Sequence, residues 1–182
     1  MSTDTAVTAG TWAIDASHTE IGFTVRHLVS KVRGKFETFE GTITSADDVT
    51  ASSVNVSIDL ASVNTGTADR DAHLRSGDFF NAEENPKMTF VSTSIVEKGE
   101  GEFVVTGDLT IKGVTKSVDL ATEFLGEGGD PWGGTRVGLE ASTTISRKEF
   151  GIDFNIPVDG ADKLMIGDKI TINIVAEAVL QA

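Results

Sequence analysis

The sequence has no cysteine and no tyrosine among its 182 residues, and only three prolines and two tryptophans. Without cysteine there is no disulfide scaffold, no thiolate metal site and no thiol nucleophile. No apolar run approaches the ~20 residues that a membrane-spanning helix needs. Cationic side chains are scarce: 15 Lys and Arg stand against 28 Asp and Glu, a net charge of −13. A chain of that sign repels a phosphate backbone, so nucleic acid is not an expected partner. As a whole it also gains nothing from an anionic membrane surface. The opening stretch MSTDTAVTAGTWAID has neither a basic start nor an apolar segment of the secretory kind, so the expected location is cytoplasmic. The length suits one domain, expected over residues 11–182, with residues 1–10 as a small polar tail.

What the sequence does have is alternation. In Ser53–Leu60, Val54, Val56, Ile58 and Leu60 interleave with polar residues. In Glu102–Ile111, Phe103, Val105, Leu109 and Ile111 share one face; Val118, Leu120 and Phe124 do so in Lys116–Phe124. Arg136–Ser146 and Lys169–Leu180 repeat the pattern, as do Glu20–Arg26, Met88–Val96 and a short first segment at Trp12 and Ile14. Period two over such lengths predicts strands with one covered face. Lys35–Thr44 is strand-like too, but its apolar phase shifts between Phe36 and Phe39, which predicts a bulge or bend. Turn signals such as Lys98-Gly99-Glu100-Gly101 and Lys112-Gly113 separate the runs. Only residues 67–86 break the pattern: Asp69–Arg75 reads as a short helix, Asn81-Ala82-Glu83-Glu84 resembles a capping box, and Pro86 ends the segment. Eight or nine antiparallel strands predict a sandwich or a closed barrel, and a barrel removes edges that would otherwise aggregate. An outer-membrane barrel needs aromatic girdles that this composition does not supply.

Chemistry-bearing motifs are few. His18, His27 and His73 show neither the helical i, i+4 spacing nor the strand HxH spacing of a metal pair, so no metal and no cofactor is expected. Ser17-His18 close to Asp15 suits capping and turn roles better than a nucleophilic triad, and no G-x-S-x-G or phosphate-cradling glycine motif is present. No catalytic residue is assigned. Trp132, in the glycine-rich stretch 126–134, is either a residue at a barrel mouth or a plug at one end of the core. Residues 26–35 hold Arg26, His27, Lys31, Arg33 and Lys35 and no acid; they read as a solvated loop or as an anion-binding mouth. Ten phenylalanines could fill a barrel of about eight strands or line a hollow one, and periodicity does not separate the two.

Several spaced motifs together carry a family resemblance. They run from Trp12-x-Ile14-Asp15 and His18 through Ile21-x-Phe23-x-Val25-x-His27 and Gly34-Lys35-Phe36-x-x-Phe39-x-Gly41. The distinctive stretch Arg70-Asp71-Ala72-His73-Leu74-Arg75-Ser76-x-Asp78-Phe79 follows, then Pro86-x-Met88-Thr89-Phe90 and Gly107-Asp108-Leu109-Thr110-Ile111. Asp130-Pro131-Trp132-Gly133-Gly134-x-Arg136 and Arg147-x-x-Phe150-Gly151 complete the series. Over roughly residues 11–180 the chain resembles the YceI-like family of lipocalin-like polyisoprenoid-binding proteins. The resemblance implies an all-β, lipocalin-like antiparallel barrel of about eight strands with one short helical segment near 67–86. It also implies a hydrophobic tunnel for a polyisoprenoid, an isoprenoid quinone or a fatty-acid-like lipid, no enzymatic activity, and a possible homodimer. The segment 154–168 is less typical of the family.

The expectation is therefore a lipid-binding barrel. Arg26, His27 and Lys31 are expected at the mouth, against a headgroup. Phe23, Val25, Phe36, Phe39, Phe90, Val105, Leu109, Phe124 and Trp132 are expected along the tunnel wall. A partner-binding barrel with a packed interior and a His/Asp-dependent enzyme are the alternatives.

Overall fold

A computed structural model describes residues 7–156 and 165–181. The alternating runs form β1 (Gly10–Ile14), β2 (Glu20–His27), β3 (Ser30–Phe36), β4 (Phe39–Ser45), β5 (Ser53–Asp59), a two-residue β6 (Val63–Asn64), β7 (Lys87–Gly99), β8 (Glu102–Ile111), β9 (Val114–Gly129), β10 (Thr135–Ser146) and β11 (Ile166–Leu180). One α-helix, α1 (Ala68–Arg75), stands between β6 and β7. Among the described residues no helix is long and apolar enough to cross a membrane.

Antiparallel pairing runs β1–β4–β5–β7–β8–β9–β10–β11, and β11 returns to β1 with Trp12 opposite Leu180, so eight strands close a barrel. β11 is long enough for two neighbours. Its last residues, Ala178–Leu180, pair with β1, while Ile166–Val175 pair with β2. β2 then pairs with β3, and β3 with β6, beside the closed ring. Across this end lies the segment after β6, whose Leu74, Phe79 and Phe80 share a cavity wall with Phe36, Met88 and Ile111.

The phase shift between Phe36 and Phe39 marks the break between β3 and β4. Two local expectations change. Residues 30–36, read as loop and strand start, are strand throughout, because Lys31, Arg33 and Lys35 alternate outward against Val32, Gly34 and Phe36. The Asn81–Glu84 stretch is a turn rather than a second helix. Asn81 has φ +48, not the extended backbone of an N-cap, and its side chain reaches Glu84 Oε2 at 3.0 Å.

Two apolar clusters fill the molecule. A small one closes one end: Trp12, Val137 and Ala178 are fully buried, with Ile14, Ile43, Phe124 and Leu180 against them. The Trp12 indole N–H donates to the Thr8 carbonyl at 3.1 Å. Of the expected tail, residues 1–6 lie outside the described residues. The larger cluster runs through the barrel to the opposite end and includes Phe36, Phe90, Val105, Leu109 and Phe150. Several inward residues packed against it, among them Phe23, Leu120, Ile170, Ile172 and Ile174, are only partly buried. Their uncovered surface faces a hollow interior.

Candidate functional site

Two cavities lie end to end inside the barrel. The larger, about 420 Å³, lies at the β2–β3 end and has walls from Phe23, Val25, Val32, Phe36, Ile170 and Ile172, together with Phe79, Phe80, Phe150 and Phe154. Its volume is that of a typical small-molecule site. The smaller, about 140 Å³, runs deeper and is lined by residues such as Val56, Phe90, Val105, Leu109, Leu120 and Ile174. Ile21, Met88 and Ile172 border both and form a waist between them.

Polarity is graded along this axis. The deep cavity has only the hydroxyls of Thr19, Thr122 and Thr143 among its side-chain polar groups. The outer cavity adds His27, Thr65, Asp69, Arg70, His73 and Arg147. α1 supplies Arg70 and His73, three residues apart and hence on one helix face. Arg70 is held by its Nε donating to Thr65 Oγ1 and its Nη2 to the Thr65 carbonyl, both at 2.7 Å. Thr65 is itself fixed: its N–H and hydroxyl donate to the buried Asp71 carboxylate at 2.8 and 2.6 Å. Among the described residues Arg70 Nη1 has no hydrogen-bond partner. The His73 ring stacks edge-on against Phe79 and Phe154, with centroids 4.9 and 5.0 Å away, and its Nε2 lies 2.9 Å from Asp78 Oδ2.

Arg147 is the buried cation of the wall. Its Nε donates to the Gly167 carbonyl at 2.8 Å, its Nη1 to those of Ile152 and Phe154 at 2.9 Å, and its Nη2 to that of Ile166 at 3.3 Å. Burial pushes its pKa below the ordinary arginine value. One guanidinium thus ties the 152–154 stretch to the start of β11. Sequence reasoning missed Thr65, Asp69, Arg70, His73 and Arg147 as lining residues. Only the i, i+3 spacing on α1 signalled any of them.

The residues expected at the mouth are divided by the strand pleat. His27 faces the outer cavity with Phe23 and Val25. Arg26 and Lys31, directly opposite each other across β2 and β3, are exposed on the outer face. Of the expected wall residues, Phe23, Val25 and Phe36 line the outer cavity, and Phe90, Val105 and Leu109 the deep one. Phe39 packs against the larger core cluster, and Phe124 against both clusters, without lining either cavity. Trp132 is 75% exposed in the β9–β10 turn, with the Arg136 guanidinium 5.6 Å from its ring centroid.

The closed end holds an ionic cluster. Arg136 Nη1 donates to Asp15 Oδ2 at 2.7 Å and Glu177 Oε1 at 3.0 Å, and its Nε to Asp130 Oδ2 at 2.8 Å. Hydrogen bonds from Arg136, Ser17 and His18 hold the Asp15 carboxyl far below the usual carboxylate range. Asp130 is lowered too, by the Gly134 backbone N–H and by Arg136. Ser17 Oγ donates to Asp15 Oδ1 at 2.6 Å, and His18 Nδ1 lies 2.9 Å from Asp15 Oδ2. Asp15 thus caps the turn, its carboxylate accepting the Ser17 N–H at 3.0 Å, while the same carboxylate orients the histidine. Ser17 Oγ also lies 3.1 Å from His18 Nδ1, the same ring nitrogen that faces Asp15, whereas a serine–base relay needs serine and carboxylate on opposite nitrogens of the imidazole. Among the described residues no group of three or more His, Cys, Asp and Glu could hold a metal ion.

Comparison with known proteins matches residues 12–178 to the model of the YceI-like domain family. A UPF0312 protein of Vibrio vulnificus (strain YJ016) is 43% identical over 159 residues, 85% of this chain and 82% of its own length. The crystal structure of the Campylobacter jejuni YCEI protein superposes with a TM-score of 0.72 at 32% identity, covering 92% of this chain and 96% of its own. A polyisoprenoid-binding domain from Saccharophagus degradans, implicated in plant cell wall breakdown, has a TM-score of 0.71 at 16% identity, covering 93% and 98%. This last likeness concerns the fold alone.

Proposed function

Because the chain belongs to the YceI-like family, we propose that its tunnel binds a long-chain polyisoprenoid or a similar amphipathic lipid, an isoprenoid quinone or fatty-acid-like molecule included, as a carrier, store or sensor rather than as an enzyme acting on a substrate. The observation that carries this reading is the polarity gradient. Aliphatic and phenyl groups surround the deep cavity, while two histidines, two arginines and one aspartate gather at its outer end. An amphiphile has the same gradient. Its chain enters the barrel and gains about 0.8 kcal/mol per buried methylene, before the cost of ordering. Its headgroup meets His27, His73 and Arg70, whose Nη1 has no hydrogen-bond partner among the described residues.

Mass spectrometry of an organic extract of the purified protein, beside native mass spectrometry of the intact chain, tests the reading. The expected result is a stoichiometric isoprenoid, quinone or fatty acid. An empty protein that also refuses added long-chain lipids would overturn it and favour a barrel that serves a protein partner.

A further inference from the structure

The hairpin that joins β2 to β3 carries two features that the tunnel does not use. The first is its tip. Only Leu28 and Val29 separate the cross-strand pair His27 and Ser30. Two-residue hairpin turns need left-handed backbone, and one with positive φ at its first central residue alone takes Gly there by preference. Here Leu28 adopts φ +52, and Val29 is 98% exposed. Two aliphatic side chains thus occupy a site where small polar residues fit better, and Val29 is almost wholly free of internal contact. Ile156, also exposed, lies beside them, since Met165 accepts from Leu28 N–H and donates to the Ile156 carbonyl.

The second feature is charge. From Ile21 to Phe36 the sequence has no Asp or Glu. Arg26 lies opposite Lys31, an unfavourable like-charge pair. Among the described residues neither these nor Arg33 and Lys35 form a salt bridge. Asp168 on the neighbouring β11 is engaged by Ser146 Oγ and the Lys148 N–H. In a chain with net charge −13, a cationic strip with no ion-pair partner among the described residues thus stands behind an apolar tip.

We propose that this hairpin docks the tunnel mouth on an anionic bilayer, with Leu28 and Val29 entering the interface and Arg26 and Lys31 meeting lipid phosphates. At about 3.3 Å per residue, Arg26 and Lys31 lie within the headgroup depth when the tip is inserted. Arg33 stands roughly 13 Å back and Lys35 farther still, so their contribution is smaller. A bare cation patch would suit any polyanion; the aliphatic tip is what selects a membrane. The opposite face of the same hairpin, Val25, His27 and Val32, lines the outer cavity, so a docked tip brings the mouth to the lipid phase.

Vesicle co-sedimentation near physiological salt tests this, with phosphatidylcholine alone against an equimolar mixture with phosphatidylglycerol. The parent protein should bind the mixed vesicles and leave the neutral ones. Leu28→Gly with Val29→Asn supplies residues that such a turn prefers, so the variant should stay folded, with its melting curve as the check, yet lose binding at least tenfold. Arg26→Gln with Lys31→Gln should lose about fivefold per charge. Equal binding of the parent to both vesicles, or no binding, or binding retained by either variant, would overturn the proposal. Tunnel occupancy is read separately by displacement of a fluorescent fatty acid, so a protein that holds lipid without docking, or docks without holding lipid, tells the two readings apart.

Discussion

The ring of Phe23 lies across its cross-strand partner Gly34, so closely that a β-carbon on Gly34 would sit 2.4 Å from the ring's Cζ and 2.9 Å from Thr65 Cγ2. Phe90 covers Gly107 in the same way on the other side of the barrel. Each glycine lets a phenyl ring lie along the wall instead of projecting into the lumen. Gly34→Ala should force the Phe23 ring inward, lower stability by about 1–3 kcal/mol and reduce lipid uptake. Urea unfolding and titration with a fluorescent fatty acid check both effects; an unchanged cavity and unchanged stability would mean the ring has another resting place.

The waist predicts a dependence on chain length. Ile172 borders both cavities, so Ile172→Phe should close the passage between them. Short chains should bind as before. Long chains should lose about 0.8 kcal/mol for each methylene kept out of the deep cavity. Affinities along a series of fatty acids would show a plateau at shorter length than in the parent, and an unshifted plateau would remove Ile172 from the path.

Arg70 predicts headgroup selectivity. Arg70→Gln should weaken a fatty acid about tenfold or more relative to the alcohol of the same chain, as expected for loss of a hydrogen bond to a charged group. A purely structural defect would weaken both ligands equally. The ratio of the two dissociation constants is therefore the measurement.

Arg147 predicts that charge alone is not enough. Its planar head serves four carbonyls from two chain segments. Lysine keeps the charge but lacks the fork, and with three donors for four carbonyls it leaves at least one without its partner. Arg147→Lys should therefore cost about 1–3 kcal/mol. A smaller cost in urea unfolding would mean that water replaces the lost donors.

The cluster at the closed end predicts a particular response to acid. Because Arg136, Ser17 and His18 depress the Asp15 pKa in the folded state, the stabilisation from ionised Asp15 is complete above the unfolded-state pKa of about 3.9. It is lost as pH falls from there toward the native value. Asp15→Asn should be less stable than the parent at neutral pH, and the gap should close below about pH 4. A gap that stays constant with pH would assign the effect to shape rather than charge.

Much of this architecture was legible in the residues. β5, β8, β10 and β11 declare themselves through Val, Ile and Phe at alternate positions, and α1 through a break in that alternation. β3 was obscured because its inward positions are Val32, Gly34 and Phe36, with a glycine in the middle, and its outward ones are basic. For the cavity, alternation assigns a face but not whether opposite faces meet. It therefore treats Phe23, which borders open space, and Phe39, which packs against solid core, alike. Arg147 could not be found from sequence because its partners are backbone carbonyls, which every residue possesses. Arg26, His27 and Lys31 look like one group along the chain, but the pleat sends the first and third outward and the second inward.

The register that sets Trp12 opposite Leu180 also fixes when the ring can close during synthesis. The seam between β1 and β11 joins residues separated by almost the whole chain, so it forms only after the last strand has left the ribosome. Until then β1 lacks its second neighbour, β10 waits for β11, and β2 has only β3 beside it. Pairings between such distant segments form slowly, and open edges are exposed to wrong partners in the interval. The hairpins β7–β8 and β8–β9 join through short turns and can form much earlier. Newly made chains are thus most prone to aggregate just before the final fifteen-residue strand arrives.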